Sequence, residues 1–229
     1  MKNTRVKICG NGNEDDIEAI EGADAAGFVV ETPKSKRNVG LGRARELIHQ
    51  LPPFVVSVAV TKVTDPEELE RICALTEADV LQVHSELKNY KLERIVSRIP
   101  DGVKLLGLIG ISAAPSREEK EDLLKRARRL REAPVRGVVL DTRTGAGESG
   151  GSGLSHDWEF SRKLRDSLSP VPAILAGGLG PRNVSRAIEK VDPYAVDIAT
   201  GVEDDQGEKV REKVEAVFRQ LRSNGGEER

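Results

Sequence analysis

Eight times along these 229 residues a short, nearly all-apolar run is followed by an amphipathic stretch, and that alternation restricts the fold more than any motif does. The runs at 5–9, 25–30, 54–60, 80–83, 103–109, 136–140, 173–176 and 195–199 read as strands with both faces buried. Such strands belong to a parallel sheet whose connections pass back as covering helices. Helix signals stand between them. Asn13 is an N-cap ahead of Glu14, Asp15 and Asp16, Pro52-Pro53 stops a helix over 43–51, and Asp65-Pro66 starts the next. Further helices are predicted over 118–131 and 157–168, from Pro181 as a first helical position, and along the stripe Val210, Val214, Val217, Phe218, Leu221. Eight repeats in so short a chain predict the closed form, an α/β fold made of a single (β/α)8 TIM barrel with parallel strands over 1–222 and a polar, Gly-rich, disordered tail over 223–229. An open doubly wound sheet is the alternative.

A barrel of this kind puts its chemistry at the C-terminal ends of the strands. Cys9, His84, Asp141, Gly177-Gly178 and Thr200-Gly201 all fall there. Paired glycines after the seventh strand offer backbone amides to a phosphate, and if the eighth strand is a neighbour, Thr200-Gly201 lines the same anion pocket. Cys9 is suited to act as nucleophile or general base, with Lys7 on the same side of its strand. Asp141, drawn into a partly dry site, is suited to donate a proton, although an Asp at a strand end also anchors loops. Between them they form an acid and base pair flanking a small substrate. Arg37 can fork onto a carboxylate or phosphate, or be a solvated arginine. His84 reads equally as a catalytic group and as a histidine satisfied by backbone. His49 and His156 are expected on surfaces, and Lys62 reads as a solvated lysine. The Gly-rich stretch 142–153 is the one long loop, a length usually tied to function or disorder.

Composition narrows the partners. With 36 Lys+Arg against 38 Asp+Glu, the chain has no basic excess to recommend nucleic acid or an anionic membrane. Met1 to Arg5 lead straight into a strand without an apolar signal region, so a soluble, cytoplasmic protein is expected. Cys9 and Cys73 form neither a disulfide framework nor a metal-ligand spacing, and reduced thiols are expected.

Placed in order around the eight strands, several motifs resemble the phosphoribosylanthranilate isomerase family over roughly 4–221. They are Val6-Lys7-Ile8-Cys9-Gly10, Gly22-Ala23-Asp24-Ala25-Ala26-Gly27-Phe28, Ser35-Lys36-Arg37, Leu81-Gln82-Val83-His84, Val139-Leu140-Asp141, Gly150-Gly151-Ser152-Gly153 with Asp157-Trp158, Leu175-Ala176-Gly177-Gly178-Leu179 with Pro181 and Asn183-Val184, and Val196-Asp197 with Gly201-Val202-Glu203. The resemblance implies an Amadori rearrangement in tryptophan biosynthesis. N-(5'-phosphoribosyl)anthranilate, an aminoaldose, becomes 1-(2-carboxyphenylamino)-1-deoxyribulose 5-phosphate, with no cofactor and no metal. It further implies Asp141 as general acid and Cys9 as general base. Arg37 would meet the anthranilate carboxylate, His84 would contact substrate, and Gly151, Gly153, Gly177, Gly178, Thr200 and Gly201 would face the phosphate. Thr200 stands where the family often has serine and keeps a hydroxyl there. Oligomeric state, monomer or homodimer, is left open. Other phosphosugar barrels fit less well. The indole-glycerol-phosphate synthase type wants a Lys and Glu constellation to which only Lys62 could contribute, and the histidine-pathway isomerase has an aspartate where Cys9 stands. A non-catalytic phosphometabolite-binding barrel would not need both Cys9 and Asp141.

Overall fold

The computed structural model describes residues 4–87, 89–143 and 156–223. Eight strands form the barrel: β1 (Arg5–Cys9), β2 (Ala25–Val30), β3 (Val56–Thr61), β4 (Val80–Val83), β5 (Lys104–Ser112), β6 (Gly137–Arg143), β7 (Ala173–Leu175) and β8 (Ala195–Ile198). Each pairs in parallel with its sequence neighbour, and β1 pairs with both β2 and β8, which closes the sheet. The helices that follow are α1 (Glu14–Ala19), α2 (Leu41–Ile48), α3 (Pro66–Thr76), α4 (Asn89–Val96), α5 (Arg117–Glu132), α6 (Trp158–Leu168), α7 (Val184–Val191) and α8 (Arg211–Ser223). A two-residue strand, Asn38–Val39, lies against Val29 and Val30, and a 3-10 turn, Thr200–Val202, follows β8. The predicted tail lies outside the described residues, apart from Ser223 at the end of α8. No described helix is long and apolar enough to cross a membrane.

Alternation of side chains along each strand splits the apolar residues into two clusters. One set, including Ile8, Phe28, Leu81, Ile109 and Leu140, packs with Leu47, Leu69, Ile72 and Leu164 between sheet and helices. The other, including Cys9, Val58, Val60, Leu108, Val139 and Ile174, fills the barrel itself. Lys7, Gln82, Asp141 and Asp197 are also buried, at the positions of their strands that alternate into that interior.

Several boundaries differ from expectation. The sixth strand does not stop before Asp141. Its pairing with β5 continues through Gly110↔Asp141 to Ser112↔Arg143, so Asp141 is a strand residue held by the ladder. α2 starts at Leu41 after an extended Gly40, two residues earlier than expected, because Leu41 and Ala44 reach the core. β3 begins at Val56, leaving Phe54 94% exposed. The seventh crossover helix begins at Val184 and not at Pro181, which lies in the turn that begins at Gly180.

Candidate active site

The C-terminal ends of the strands surround a cavity of about 590 Å³. Cys9, Arg37, His84, Asp141, Gly177, Gly178, Thr200 and Gly201 all line it. Gly151, Gly153 and the rest of 144–155 lie outside the described residues. Lys62 is at the cavity wall with an exposed side chain.

At one side β1 carries Lys7 and Cys9 inward. Lys7 Nζ donates to Asp197 Oδ2 at 2.7 Å, both side chains almost fully buried. Gly27, paired with Cys9 across β1 and β2, makes room for them: a Cβ there would come within 2.8 Å of Cys9 Sγ and 3.1 Å of Lys7 Nζ. Burial pushes the Cys9 thiol above its ordinary value and Asp197 adds to this, while Lys7 pulls the other way without outweighing them. Burial also works against the Lys7 ammonium, but Asp197 and Cys9 more than offset it and keep lysine charged. A high-affinity base next to a permanent cation is well placed to take a proton from carbon, because the cation steadies the thiolate when it forms.

Asp141 stands on β6. Its Oδ1 accepts from the Thr142 amide at 2.8 Å and its Oδ2 lies 3.2 Å from His84 Nε2. His84 is therefore not satisfied by backbone alone. His156, expected on the surface, is buried, with Nδ1 2.9 Å from Thr142 Oγ1 and Nε2 2.6 Å from Ser161 Oγ. Desolvation lowers its pKa to about 4, so the ring is neutral at working pH. The sequence around His156 is polar and loop-like, whereas the ring is enclosed between the end of β6 and α6. His49 is exposed, as expected, beside Glu77.

The glycines shape the third part of the site. Gly177 and Gly178 have φ of 87° and 64°, which L side chains rarely adopt. A Cβ on Gly177 would collide with Thr142, and one on Gly201 with the Leu179 carbonyl, so the endings of β7 and β8 are packed on each other as expected. Asn183 braces this turn: its Oδ1 accepts from Gly180 N at 2.9 Å and its Nδ2 donates to Gly178 O at 2.8 Å. Arg37 crosses over Gly10 to Glu203, donating from Nε and Nη2 at 2.6 Å each, and from Nη2 to Thr200 Oγ1 at 2.9 Å. Lys209 Nζ donates to the same Glu203 at 2.7 Å.

A sequence model described as N-(5'phosphoribosyl)anthranilate (PRA) isomerase matches residues 6–220. The chain belongs to the phosphoribosylanthranilate isomerase family. N-(5'-phosphoribosyl)anthranilate isomerase of Methanothrix thermoacetophila is 40% identical over 222 residues, 96% of this chain and 99% of that protein. The crystal structure of phosphoribosyl anthranilate isomerase from Thermotoga maritima superposes with a TM-score of 0.79 at 35% identity, over 96% of this chain and 99% of its own. A phosphoribosyl anthranilate isomerase solved with reduced 1-(o-carboxyphenylamino)-1-deoxyribulose 5-phosphate superposes with a TM-score of 0.75 at 32% identity, covering 96% of this chain and 99% of that one. The activity is therefore the Amadori isomerisation of phosphoribosylanthranilate on a single (β/α)8 barrel.

Gln82, Asp197, Gly27, Glu203 and Asn183 stand in the motifs of the resemblance without a role assigned there, and local signals mark some of them. Gln82 and Asp197 are single polar residues inside otherwise apolar strands, Val80–Val83 and Ala195–Ile198, and a polar group there is worth a question because burial is costly without a partner. Gly27 is a glycine inside a strand, which marks close approach. Glu203 gives no local sign, since Arg37 reaches it from the loop after β2.

Proposed function

We propose that Asp141 and Cys9 perform the isomerisation as acid and base on opposite parts of the same cavity. Asp141 protonates the ribose ring oxygen as the C1'–O bond breaks, and the anilino nitrogen lone pair forms C1'=N. Cys9, as thiolate, removes the C2' proton, the bond electrons moving to give the enolamine. The Cys9 thiol returns a proton to C1' as the C2' hydroxyl gives its own to the Asp141 carboxylate and becomes the ketone. Protons balance over the cycle. The observation that carries this reading is the buried Lys7–Asp197 ion pair beside Cys9, with Cys9 and Asp197 lining the same cavity as Asp141. Gly177, Gly178, Thr200 and Gly201 hold the phosphate through the turns after β7 and β8, and Arg37, its guanidinium fixed by Glu203, takes the anthranilate carboxylate.

Purified protein is expected to isomerise freshly generated phosphoribosylanthranilate, followed as loss of anthranilate-type fluorescence. Cys9→Ala and Asp141→Asn should each lower kcat about 100-fold or more with the fold retained. Full activity in either variant removes that residue from the mechanism. A raised thiol pKa also fixes the sign of a pH effect: the thiolate fraction grows with pH, so kcat/KM should still be rising at alkaline pH where an ordinary thiol has levelled off.

We also propose that the chain is a homodimer. A solved relative at a TM-score of 0.76 and 32% identity, covering 96% of this chain and 99% of its own, is described as monomers made from dimeric phosphoribosylantranilate isomerase of Thermotoga maritima. Here Phe54, at 94% exposure, is a large apolar side chain left bare ahead of β3. Analytical ultracentrifugation should give twice the chain mass, and Phe54→Asp should halve it; a parent sedimenting as a monomer rejects the proposal.

A further inference from the structure

Gln82 and His84 occupy alternate positions at the end of β4. The His84 amide donates to Thr61 O at 2.7 Å, which fixes its main chain to the barrel. Gln82 Nε2 lies 3.3 Å from His84 Nδ1, and His84 Nε2 lies 3.2 Å from Asp141 Oδ2. Gln82 is 1% exposed, and its Oε1 is buried with no hydrogen-bond partner among the described residues. A chain of polar groups therefore runs from inside the barrel to the carboxyl that faces the cavity.

Each link has a chemical consequence. An amide nitrogen donating to Nδ1 leaves the neutral ring's proton on Nε2, aimed at Asp141. Turned over, the same amide presents Oε1 to Nδ1–H, both in the imidazolium and in the neutral ring left once Nε2 has given up its proton, so Gln82 suits each form of His84 without moving its backbone. Asp141 has one oxygen taken up by the Thr142 amide, and the group beside the other is the His84 ring. An acid that opens a sugar ring has to hold a proton before the step and recover one after it.

We propose that His84 is the proton carrier that loads Asp141, with Gln82 as the residue that positions it. The inference rests on Asp141 being the ring-opening acid. The His84 imidazolium gives its Nε2 proton to Asp141 Oδ2, and Asp141 passes that proton to the ring oxygen, which keeps the electron pair of the broken C1'–O bond. When the ketone forms, the proton leaving the C2' hydroxyl goes to the Asp141 carboxylate and on to His84 Nε2, restoring the imidazolium. No other reactant is needed.

The test compares His84→Gln, His84→Ala and Asp141→Asn in the full chain, with circular dichroism and product-analogue binding to establish that each is folded. Glutamine can donate an N–H to Asp141 but cannot carry the charge. His84→Gln and His84→Ala are both expected to lose about 100-fold in kcat with KM within threefold of the parent, and added imidazole is expected to restore part of the rate in His84→Ala. Gln82→Leu, which leaves His84 and Asp141 in place, should lose about tenfold in kcat. Parental kcat in His84→Gln overturns the proposal, because hydrogen bonding alone then suffices. A raised KM with unchanged kcat overturns it in favour of simple substrate contact. Asp141→Asn separates the two levels: an active Asp141→Asn means that the acid reading itself has failed, whereas an inactive one beside an active His84→Gln means that only the carrier role has.

Discussion

The site is built by side chains that are absent as much as by those present. Gly27 shows this at the scale of one residue, because the hydrogen in place of its side chain leaves Cys9 Sγ and Lys7 Nζ room to meet. Gly27→Ala adds one methyl and no charge, and is expected to push the thiol or the ammonium aside. An ångström of displacement at a reacting group is enough for kcat to fall about 10–100-fold. Parental kinetics in Gly27→Ala would show that the thiol's exact position does not matter. Glu203 sets a second residue-level expectation. Its carboxylate receives Arg37 and Lys209, and these hydrogen bonds and charges hold its pKa below the ordinary value against the effect of burial. Glu203→Gln keeps the shape but loses the charge, so Arg37 is freed, and KM should rise more than kcat falls, with the loss absent for a substrate analogue lacking the aryl carboxylate.

Elements were legible in the sequence where the signal was local. Asn13 caps α1, accepting from the Asp16 amide, and Asp65 and Asp157 cap α3 and α6 in the same way, so those starts follow from single residues. β2 carries an uninterrupted apolar run and β4 one broken only by Gln82, and both have the expected bounds. Misplacements came where a turn hydrogen bond or a neighbouring element, and not the helix-start or strand-end signal itself, decides. The stretch Gly180-Pro181-Arg182-Asn183 holds two helix-start signals, and the turn hydrogen bonds to Gly180, with Asn183 turned back on Gly178, move the start to Val184. β6 is prolonged past Leu140 only because β5 runs beside it. His156 is the clearest case, since nothing near it in the sequence announces that Thr142 and Ser161 enclose the ring. That enclosure has a measurable sign. The folded pKa of about 4 lies below the free value of 6.5, so the unfolded chain binds more protons between them. His156 therefore contributes stability that is fully present above pH 6.5 and is lost as pH falls through 4, by about 3 kcal/mol at most. Urea titrations of His156→Phe should show a lower stability at pH 7, about 1–2 kcal/mol for the unpaired hydroxyls, with a flatter decline below pH 6.5. An unchanged slope would place the acid sensitivity elsewhere.

At the scale of the whole molecule the barrel is complete only when its first strand meets its last. Lys7 and Asp197 are the registered pair at that seam, and their ion pair is buried inside the closed sheet. Breaking one side of a buried pair leaves a charge without a partner, which costs about 3–5 kcal/mol, whereas replacing both sides with apolar groups is often nearly neutral. Lys7→Met should thus lower stability by that amount, and Lys7→Met with Asp197→Leu should recover most of it. Activity should behave differently, because Cys9 loses its neighbouring cation in both. Urea titration and steady-state kinetics on the two proteins then separate closing the barrel from setting up the base. If Lys7→Met is as stable as the parent, the seam does not depend on the pair. If the double variant regains activity along with stability, Lys7 acts on the fold alone. Recovery of stability with activity still low would mean that the contact closing the sheet also tunes the thiol, and that the seam is kept charged for the chemistry at its upper end.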